Sequence, residues 1–157
     1  MTEQIDFLQL RDFAVSTATR AAELITARRA ELVAGDGIAA HTHTKSSDVD
    51  PVTEVDTATE EFIATTIRTQ RPGDGIFGEE GANVESTSGV TWIVDPIDGT
   101  VNFLYGVPDF AVSIGAEYQG RLVAGAVVNV ARGRTYAAAA GQGATVTGPG
   151  PAAATAC

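Results

Sequence analysis

The apolar run WIV at residues 92–94 is followed at once by the string DPIDGT at residues 95–100. A short β-branched run of this kind is typical of a buried strand, so the first polar side chain lies where the strand leaves the sheet. Pro96 has no N–H group for a sheet ladder and Gly99 permits a close backbone approach, so both residues favour a stiff turn. This stretch therefore predicts a buried strand that ends in two carboxylates on one turn.

Two aspartates on a stiff turn can converge on one point. Asp95 and Asp98 lie three residues apart, with the Ile97 carbonyl between them as a third oxygen. Carboxylates, a backbone carbonyl and waters are the ligands that magnesium and other hard divalent cations take. Thr100 lies at the predicted start of a helix or turn, where a hydroxyl and backbone N–H groups suit an anion. On these residues alone the alternative stays open that both aspartates only cap a turn.

The charge balance limits the classes of partner. Twenty acidic residues against ten basic ones give the 157-residue chain a formal net charge of −10. Nucleic acid is therefore an unexpected partner, and a phosphorylated small molecule would be repelled unless bound cations reverse the local charge. We find no apolar run long enough for a membrane span and no signal peptide. A single cysteine, Cys157, excludes an internal disulfide and fits a cytoplasmic location.

Helical periodicity marks the first part of the chain. Apolar residues at helical spacing predict one long amphipathic helix over residues 5–33 and a second over residues 56–70, with Asp56 as its N-cap. Residues 38–49 are predicted as a loop in which His41 and His43 are solvated rather than metal ligands.

The second half of the chain carries strand signals. Residues 76–77, 110–114, 121–130 and 134–140 are predicted strands, the last three separated by hairpin turns at Gln119-Gly120 and Arg132-Gly133. Residues 83–89 are predicted as a flexible surface loop. Antiparallel strands after two helices predict an α+β fold in which helices pack on a mostly antiparallel sheet.

The glycines at residues 73–78 match G-x-G-x-x-G literally. They precede the predicted strand instead of following it and opening a helix, so a dinucleotide-binding module is the weakest of the hypotheses. The same segment ends in Gly78-Glu79-Glu80, which alone would be a solvated loop.

Four ordered segments together resemble the inositol monophosphatase family of magnesium-dependent, lithium-sensitive phosphatases. They are the stretch KSSDVDPVTEVD at residues 45–56, the GEE motif at residues 78–80, the DPIDGT string, and the strand region at residues 111–144. Their order and spacing make a chance match very improbable. The resemblance implies the N-terminal half of a layered αβαβα fold, with residues 1–144 as the metal-binding half and residues 145–157 as a Gly/Pro/Ala-rich tail outside the native fold.

The resemblance also implies a role for each matching position. Glu79, Asp95 and the Ile97 carbonyl would hold a first Mg²⁺, and Asp95 with Asp98 would begin a second metal site. Asp98 and the residues after it, Gly99 and Thr100, would bind the phosphate.

Further positions match the catalytic machinery of the family. Glu79 would also help to position the attacking water, which Asp56 and Thr100 would orient and help to deprotonate. Lys45 and Glu80 would be auxiliary residues, Lys45 near the metal–water network. The implied reaction is hydrolysis of inositol monophosphate, or a related sugar phosphate, by direct attack of water.

Family members are commonly nearly twice as long, and their second half supplies a W-D-x-A-A-G-type motif with a further metal ligand. The single tryptophan here is Trp92, so that motif is absent from this sequence and the chain is expected to be truncated and poorly soluble alone. Histidinol-phosphate, fructose-bisphosphate and nucleotide 3′-phosphatases of the same superfamily remain alternatives, as does a catalytically incomplete metal-binding remnant. Family members are often dimers, so a homodimer is also expected.

Overall fold

The computed structural model describes residues 5–35 and 51–150. In chain order its elements are α1 (Phe7–Ala34), α2 (Pro51–Gln70), β1 (Gly75–Gly78), β2 (Asn83–Val84), β3 (Val90–Asp98), α3 (Thr100–Tyr105), β4 (Ala111–Tyr118), β5 (Arg121–Asn129), β6 (Arg134–Ala139) and β7 (Ala144–Thr147). The two long helices and the strand-rich second half confirm the predicted α+β class.

Helix α1 begins at Phe7, directly after its N-cap residue Asp6. The Asp6 carboxylate accepts a hydrogen bond of 2.9 Å from the Leu8 amide, which satisfies one of the free N–H groups at the helix start. Its buried residues are spaced as one stripe and are mostly small: Leu10, Ala14, Thr17, Ala18, Ala21, Ala22 and Ile25. Small side chains let the helix axis lie close to the sheet, against β4, β5 and β6.

Helix α2 begins earlier than predicted. It starts at Pro51, so Asp56 lies inside the helix and is not its N-cap. Proline is favoured in the first helical turn because its missing N–H would have no intrahelical partner there. Val52 and Val55 are buried and continue the apolar stripe toward the N-terminus, which moves the helix start by more than one turn.

The seven strands form one sheet in the order β2-β1-β3-β4-β5-β6-β7. Among the strands of the described ranges, only β1 and β3 pair in parallel, and every other neighbouring pair is antiparallel. The predicted turn at Gln119-Gly120 is present, and both residues have positive φ (51° and 76°), as a two-residue hairpin turn requires. No helix in the described ranges is long and apolar enough to cross a membrane.

Three local predictions differ from the structure. Strand β3 continues to Asp98, and its pairing with β4 shifts by one residue between Asp95 and Asp98, where Pro96 cannot donate to the ladder. The predicted loop at residues 83–89 contains β2, which pairs with β1. Strand β7 crosses the predicted boundary at residue 144 and pairs with β6.

The two faces of the sheet differ in burial. One face packs against the helices and contains Trp92, Val112 and Ile114, which are fully buried. The opposite face bears exposed apolar side chains, among them Leu122 with 68% of its surface exposed and Tyr136 with 45%. We call this second surface, defined by Ile93, Leu122, Val127 and Tyr136, the open sheet face.

Candidate active site

The candidate site lies where the two parallel strands end. Gly78, the last residue of β1, pairs with Val94 of β3, and the Glu79 amide donates a 3.2 Å hydrogen bond to the Val94 carbonyl. Parallel strands bring their carboxyl ends to the same edge of the sheet, so the two residues that follow this pair, Glu79 and Asp95, lie side by side. Two motifs separated in sequence, GEE and DPIDGT, therefore meet here.

Asp95 is in an unusual electrostatic state. Its Oδ1 atom is buried and accepts no hydrogen bond within the described residues. Burial, the neighbouring Glu79 carboxylate and then the Asp98 charge raise the pKa of Asp95 from 3.8 to about 7, against a smaller lowering by the Ile97 backbone amide. Carboxylates this close to one another are stabilised by either a shared proton or a cation.

The Ile97 carbonyl is held by the side chain of Thr100. The Thr100 hydroxyl donates a 3.0 Å hydrogen bond to this oxygen. A carbonyl oxygen has two lone pairs, so one of them stays available for a cation. The hydroxyl has given its only proton to the carbonyl, so Thr100 can accept, but not donate, a hydrogen bond at its open side.

Gly99 makes the change of direction between β3 and α3 possible. Its φ is +89°, and a Cβ at this position would lie 3.0 Å from the Asp109 carbonyl oxygen. Both observations require glycine, because an L side chain is strained at this φ and would contact backbone. The turn leaves the first N–H groups of α3, starting at Thr100, without intrahelical partners.

Asp56 lies on the buried face of α2, with 6% of its surface exposed. Its place one helical turn before Glu60 puts the two carboxylates on the same face of the helix. Helix α2 contacts β3 and β1, the strands that lead to the other candidate residues.

Glu60 contacts the candidate site although no sequence motif indicated it. Its carboxylate is buried and accepts hydrogen bonds from the Glu80 amide (2.7 Å) and the Ala82 amide (2.8 Å). It therefore fixes the loop that carries Glu79. The signal was present in the sequence, since Glu60 falls on the same helical stripe as Ile63 and Ile67 and four residues after Asp56.

A second hydrogen-bond network, centred on Asp74, supports β3. The buried Asp74 carboxylate accepts hydrogen bonds from the Trp92 indole N–H (2.8 Å) and the Ser88 hydroxyl (2.6 Å), and it also pairs with Arg71. The Arg71 guanidinium in turn lies over the Trp92 ring. This network joins the start of β1 to the middle of β3.

The donor set fits a hard divalent cation. It combines the Asp95 Oδ1, the Glu79 and Asp98 carboxylates and the second lone pair of the Ile97 carbonyl. Within residues 5–35 and 51–150, no three His, Cys, Asp or Glu side chains converge closely enough to form a complete metal site by themselves. A cation here would thus need the carbonyl and waters as further ligands.

The Glu80 side chain is exposed, and its backbone amide rather than its carboxylate takes part in the site. Lys45, His41 and His43 lie outside the described residues.

Comparisons with known proteins agree with these motifs. The profile of the Inositol monophosphatase family matches residues 6–156. The chain is 51% identical over 148 residues to "Inositol-1-monophosphatase SuhB" of Mycobacterium tuberculosis strain H37Rv, covering 88% of this chain and 51% of the relative. It is 44% identical over 101 residues to a "Histidinol-phosphatase" of Chlorobaculum parvum, covering 64% of this chain and 39% of the relative.

The fold is also shared with a solved structure. The Mycobacterium tuberculosis SuhB structure superposes with a TM-score of 0.75 at 45% identity, covering 91% of this chain and 49% of that one. The chain spans about half the length of these mycobacterial proteins. The profile match over nearly all of its length, together with this identity, shows that the chain belongs to the inositol monophosphatase family.

Proposed function

We propose that this chain carries the metal-binding part of a phosphomonoesterase site and acts in the Mg²⁺-dependent hydrolysis of inositol monophosphate or a related sugar phosphate. The observation that carries the proposal is the buried Oδ1 of Asp95, which lies beside Glu79 and Asp98 and accepts no hydrogen bond from the part of the chain that the structure describes. A cation would neutralise this cluster, and a phosphate ester brings further negative charge that a cation would also neutralise.

Four groups would hold Mg²⁺: the carboxylates of Glu79, Asp95 and Asp98 and the carbonyl oxygen of Ile97. When bound, Mg²⁺ supplies charge neutralisation at the phosphate oxygens and lowers the pKa of a coordinated water. The GEE loop and the DPIDGT turn would thus each contribute ligands to one site.

Asp56 and Thr100 would orient the attacking water. Thr100 donates its proton to the Ile97 carbonyl, so its hydroxyl oxygen is left to accept a hydrogen bond from that water. A carboxylate at Asp56 would accept a proton as the water attacks phosphorus, and Glu79 would help to position the same water. The phosphorus–oxygen ester bond breaks, and the leaving alkoxide takes up a proton to give the free alcohol.

The phosphate would lie against the turn at residues 98–100. The backbone N–H groups of Gly99 and Thr100 would donate hydrogen bonds to its oxygens, and Asp98 would contact the ester on the same side. Gly99 has no side chain, so the backbone itself can approach the ligand closely. Lys45 and Glu80 are proposed as auxiliary residues at the edge of this site.

The substrate is proposed at the level of its class. The family and the mycobacterial relatives favour inositol monophosphate, whereas the relative from Chlorobaculum parvum is named a histidinol-phosphatase. Fructose-bisphosphate and nucleotide 3′-phosphates are further candidates of the same superfamily. We also propose a cytoplasmic location and a homodimer for the functional protein.

Phosphate release from inositol 1-phosphate by the purified 157-residue chain, with and without Mg²⁺, tests the proposal. We expect release that requires Mg²⁺ and is lost in Asp95→Asn, while Asp12→Asn, the same chemical change on the exposed side of α1, keeps it. The proposal would be contradicted if the unmodified chain neither bound Mg²⁺ nor released phosphate.

A second candidate function is favoured by the metal cluster itself, since no three His, Cys, Asp or Glu side chains converge within residues 5–35 and 51–150. In this candidate the chain binds divalent cations but does not complete the catalytic site. Mg²⁺ binding by calorimetry without phosphate release from any of the candidate esters is the outcome that favours it.

A further inference from the structure

We propose that Glu60 is a positioning residue that sets the geometry of Glu79 for a divalent cation, and that Gly78 is glycine in order to admit the Glu60 carboxylate. The inference rests on the proposed metal site. It concerns a residue of α2 that has no proposed contact with the cation or the substrate.

The Glu60 carboxylate is buried and holds the GEE loop at two points. Only 3% of the surface of Glu60 is exposed. One carboxylate oxygen accepts from the Glu80 amide at 2.7 Å and the other from the Ala82 amide at 2.8 Å. The first of these N–H groups belongs to the peptide that joins Glu79 to Glu80. This hydrogen bond therefore fixes the orientation of that peptide plane, which includes the Cα atom of Glu79.

The loop is also fixed from the strand side. The Glu79 amide donates to the Val94 carbonyl (3.2 Å), and the Gly78 amide donates to the Ala82 carbonyl (2.9 Å). Glu79 is therefore held on its N-terminal side by β3 and on its C-terminal side by α2. Removal of the Glu60 carboxylate would release only the second support.

Gly78 fits this arrangement closely. A Cβ at residue 78 would lie 2.5 Å from Cδ and Oε1 of Glu60 and 2.7 Å from Oε2. These separations are far shorter than any real Cβ contact, so the carboxylate would have to move. The positive φ that usually explains a glycine is not the reason here, because Gly78 is absent from the positive-φ glycines of the described chain.

The charge and burial of Glu60 argue against a surface role. The neighbouring Glu61 makes its hydrogen bonds at the surface, to Thr65 and Arg68, and 63% of its side chain is exposed. The Glu60 carboxylate instead accepts hydrogen bonds from two backbone amides that lie twenty or more residues away in sequence. Groups that orient a metal ligand typically change metal affinity about 10–100-fold when mutated.

The test compares Glu60→Gln with Glu61→Gln, which remove the same carboxylate charge from adjacent residues of one helix. In the full 157-residue chain we would measure the Mg²⁺ dissociation constant by calorimetry and the hydrogen–deuterium exchange of the Glu80 and Ala82 amides. A glutamine side chain offers one acceptor oxygen where the carboxylate offers two. We expect Glu60→Gln to speed exchange of at least one of these amides and to weaken Mg²⁺ binding roughly tenfold or more, and Glu61→Gln to change neither quantity.

A double-mutant cycle distinguishes positioning from general damage to the fold. Gly78→Ala should weaken Mg²⁺ binding in the unmodified chain and have little further effect in Glu60→Ala, because the alanine Cβ then meets no carboxylate. The amides that pair β3 with β4 serve as the internal control and should keep their protection in every variant.

The outcomes separate this inference from the proposed function. If the unmodified chain binds no Mg²⁺, the proposed metal site is wrong, while the exchange data still report whether Glu60 holds the loop. If the unmodified chain binds Mg²⁺ and Glu60→Gln binds it equally well, or if the effects of Gly78→Ala and Glu60→Ala simply add, the positioning role is wrong.

Discussion

Asp95 lies beside Glu79 at the carboxyl ends of β3 and β1, and its buried Oδ1 accepts no hydrogen bond within the described residues. Burial and this neighbour raise the pKa of Asp95 to about 7. Near neutral pH, a cation that binds here must therefore compete with a proton for the Asp95 carboxylate.

The first prediction is that Mg²⁺ binding weakens as the pH falls below about 7. At pH 6 most Asp95 carboxyls hold a proton, which must leave when the cation binds. Calorimetry in two buffers of different ionisation enthalpy should show release of nearly one proton at pH 6 and almost none at pH 9. An affinity that stays constant from pH 6 to pH 9, with no proton release, would count against the raised pKa.

The second prediction concerns the stability of the metal-free chain. The folded pKa of Asp95 lies above its unfolded value, so the native state binds this proton more tightly, and the resulting stability is lost as the pH rises through about 7. At pH 8 Asp95→Asn should therefore raise the free energy of unfolding. Allowing for the partial exposure of the group, we expect a gain of about 1–2 kcal/mol.

Thermal unfolding in a chelating buffer measures this gain. The difference between Asp95→Asn and the unmodified chain should vanish only well below pH 3.8, where the carboxyl is protonated in both the folded and the unfolded state. An Asp95→Asn variant that is less stable at pH 8 would mean that the carboxylate is stabilised by partners in the metal-free fold.

The third prediction concerns the hydrogen-bond network centred on Asp74. Asp74→Ala removes the partner of Arg71 and leaves the Trp92 indole N–H without its acceptor. We expect a loss of about 3 kcal/mol in unfolding free energy, because breaking a buried pair leaves polar groups uncompensated. Urea unfolding followed by the fluorescence of the single tryptophan, Trp92, measures it directly.

The matched control is Glu61→Ala, which breaks the exposed pair with Arg68 and should cost less than about 1 kcal/mol. Equal losses in the two variants would show that the Asp74 network contributes no more than a surface ion pair.

Much of the fold could be predicted because its elements follow local rules. Helix α1 has a capping aspartate at Asp6 and a stripe at helical spacing, and the hairpin at Gln119-Gly120 uses a turn that favours positive φ. The start of α2 was predicted too late, since Asp56 reads equally well as an N-cap or as a buried helical residue. Only the packing of Val52 and Val55 against the core distinguishes the two.

The residues of the candidate site could be proposed from the sequence, but their arrangement in space could not. The DPIDGT and GEE strings indicate Asp95, Asp98 and Glu79, yet local sequence does not say that β1 and β3 lie side by side in parallel. The raised pKa of Asp95 and the hydrogen bonds between Glu60 and the GEE loop both depend on that long-range pairing. Glu60 was missed because a glutamate on a helix is normally a solvent-facing residue.

The fourth prediction concerns the open sheet face. Leu122 and Tyr136 are 68% and 45% exposed on adjacent strands, and contiguous apolar surface of this kind favours association. Sedimentation velocity should show that the chain self-associates and that Leu122→Lys shifts it toward the monomer. Val33→Lys, which changes an exposed apolar residue at the end of α1, should leave the distribution unchanged; a monomeric unmodified chain would contradict the prediction.

The most direct measurement is a calorimetric titration of Mg²⁺ at pH 8 into the unmodified chain, Asp95→Asn and Asp12→Asn. If Asp95 organises a cation site with Glu79, Asp98 and the Ile97 carbonyl, the unmodified chain and Asp12→Asn should bind Mg²⁺ alike and Asp95→Asn should not bind it measurably. Equal binding by all three proteins, or binding by none of them, would contradict the metal site on which the proposed phosphatase function depends.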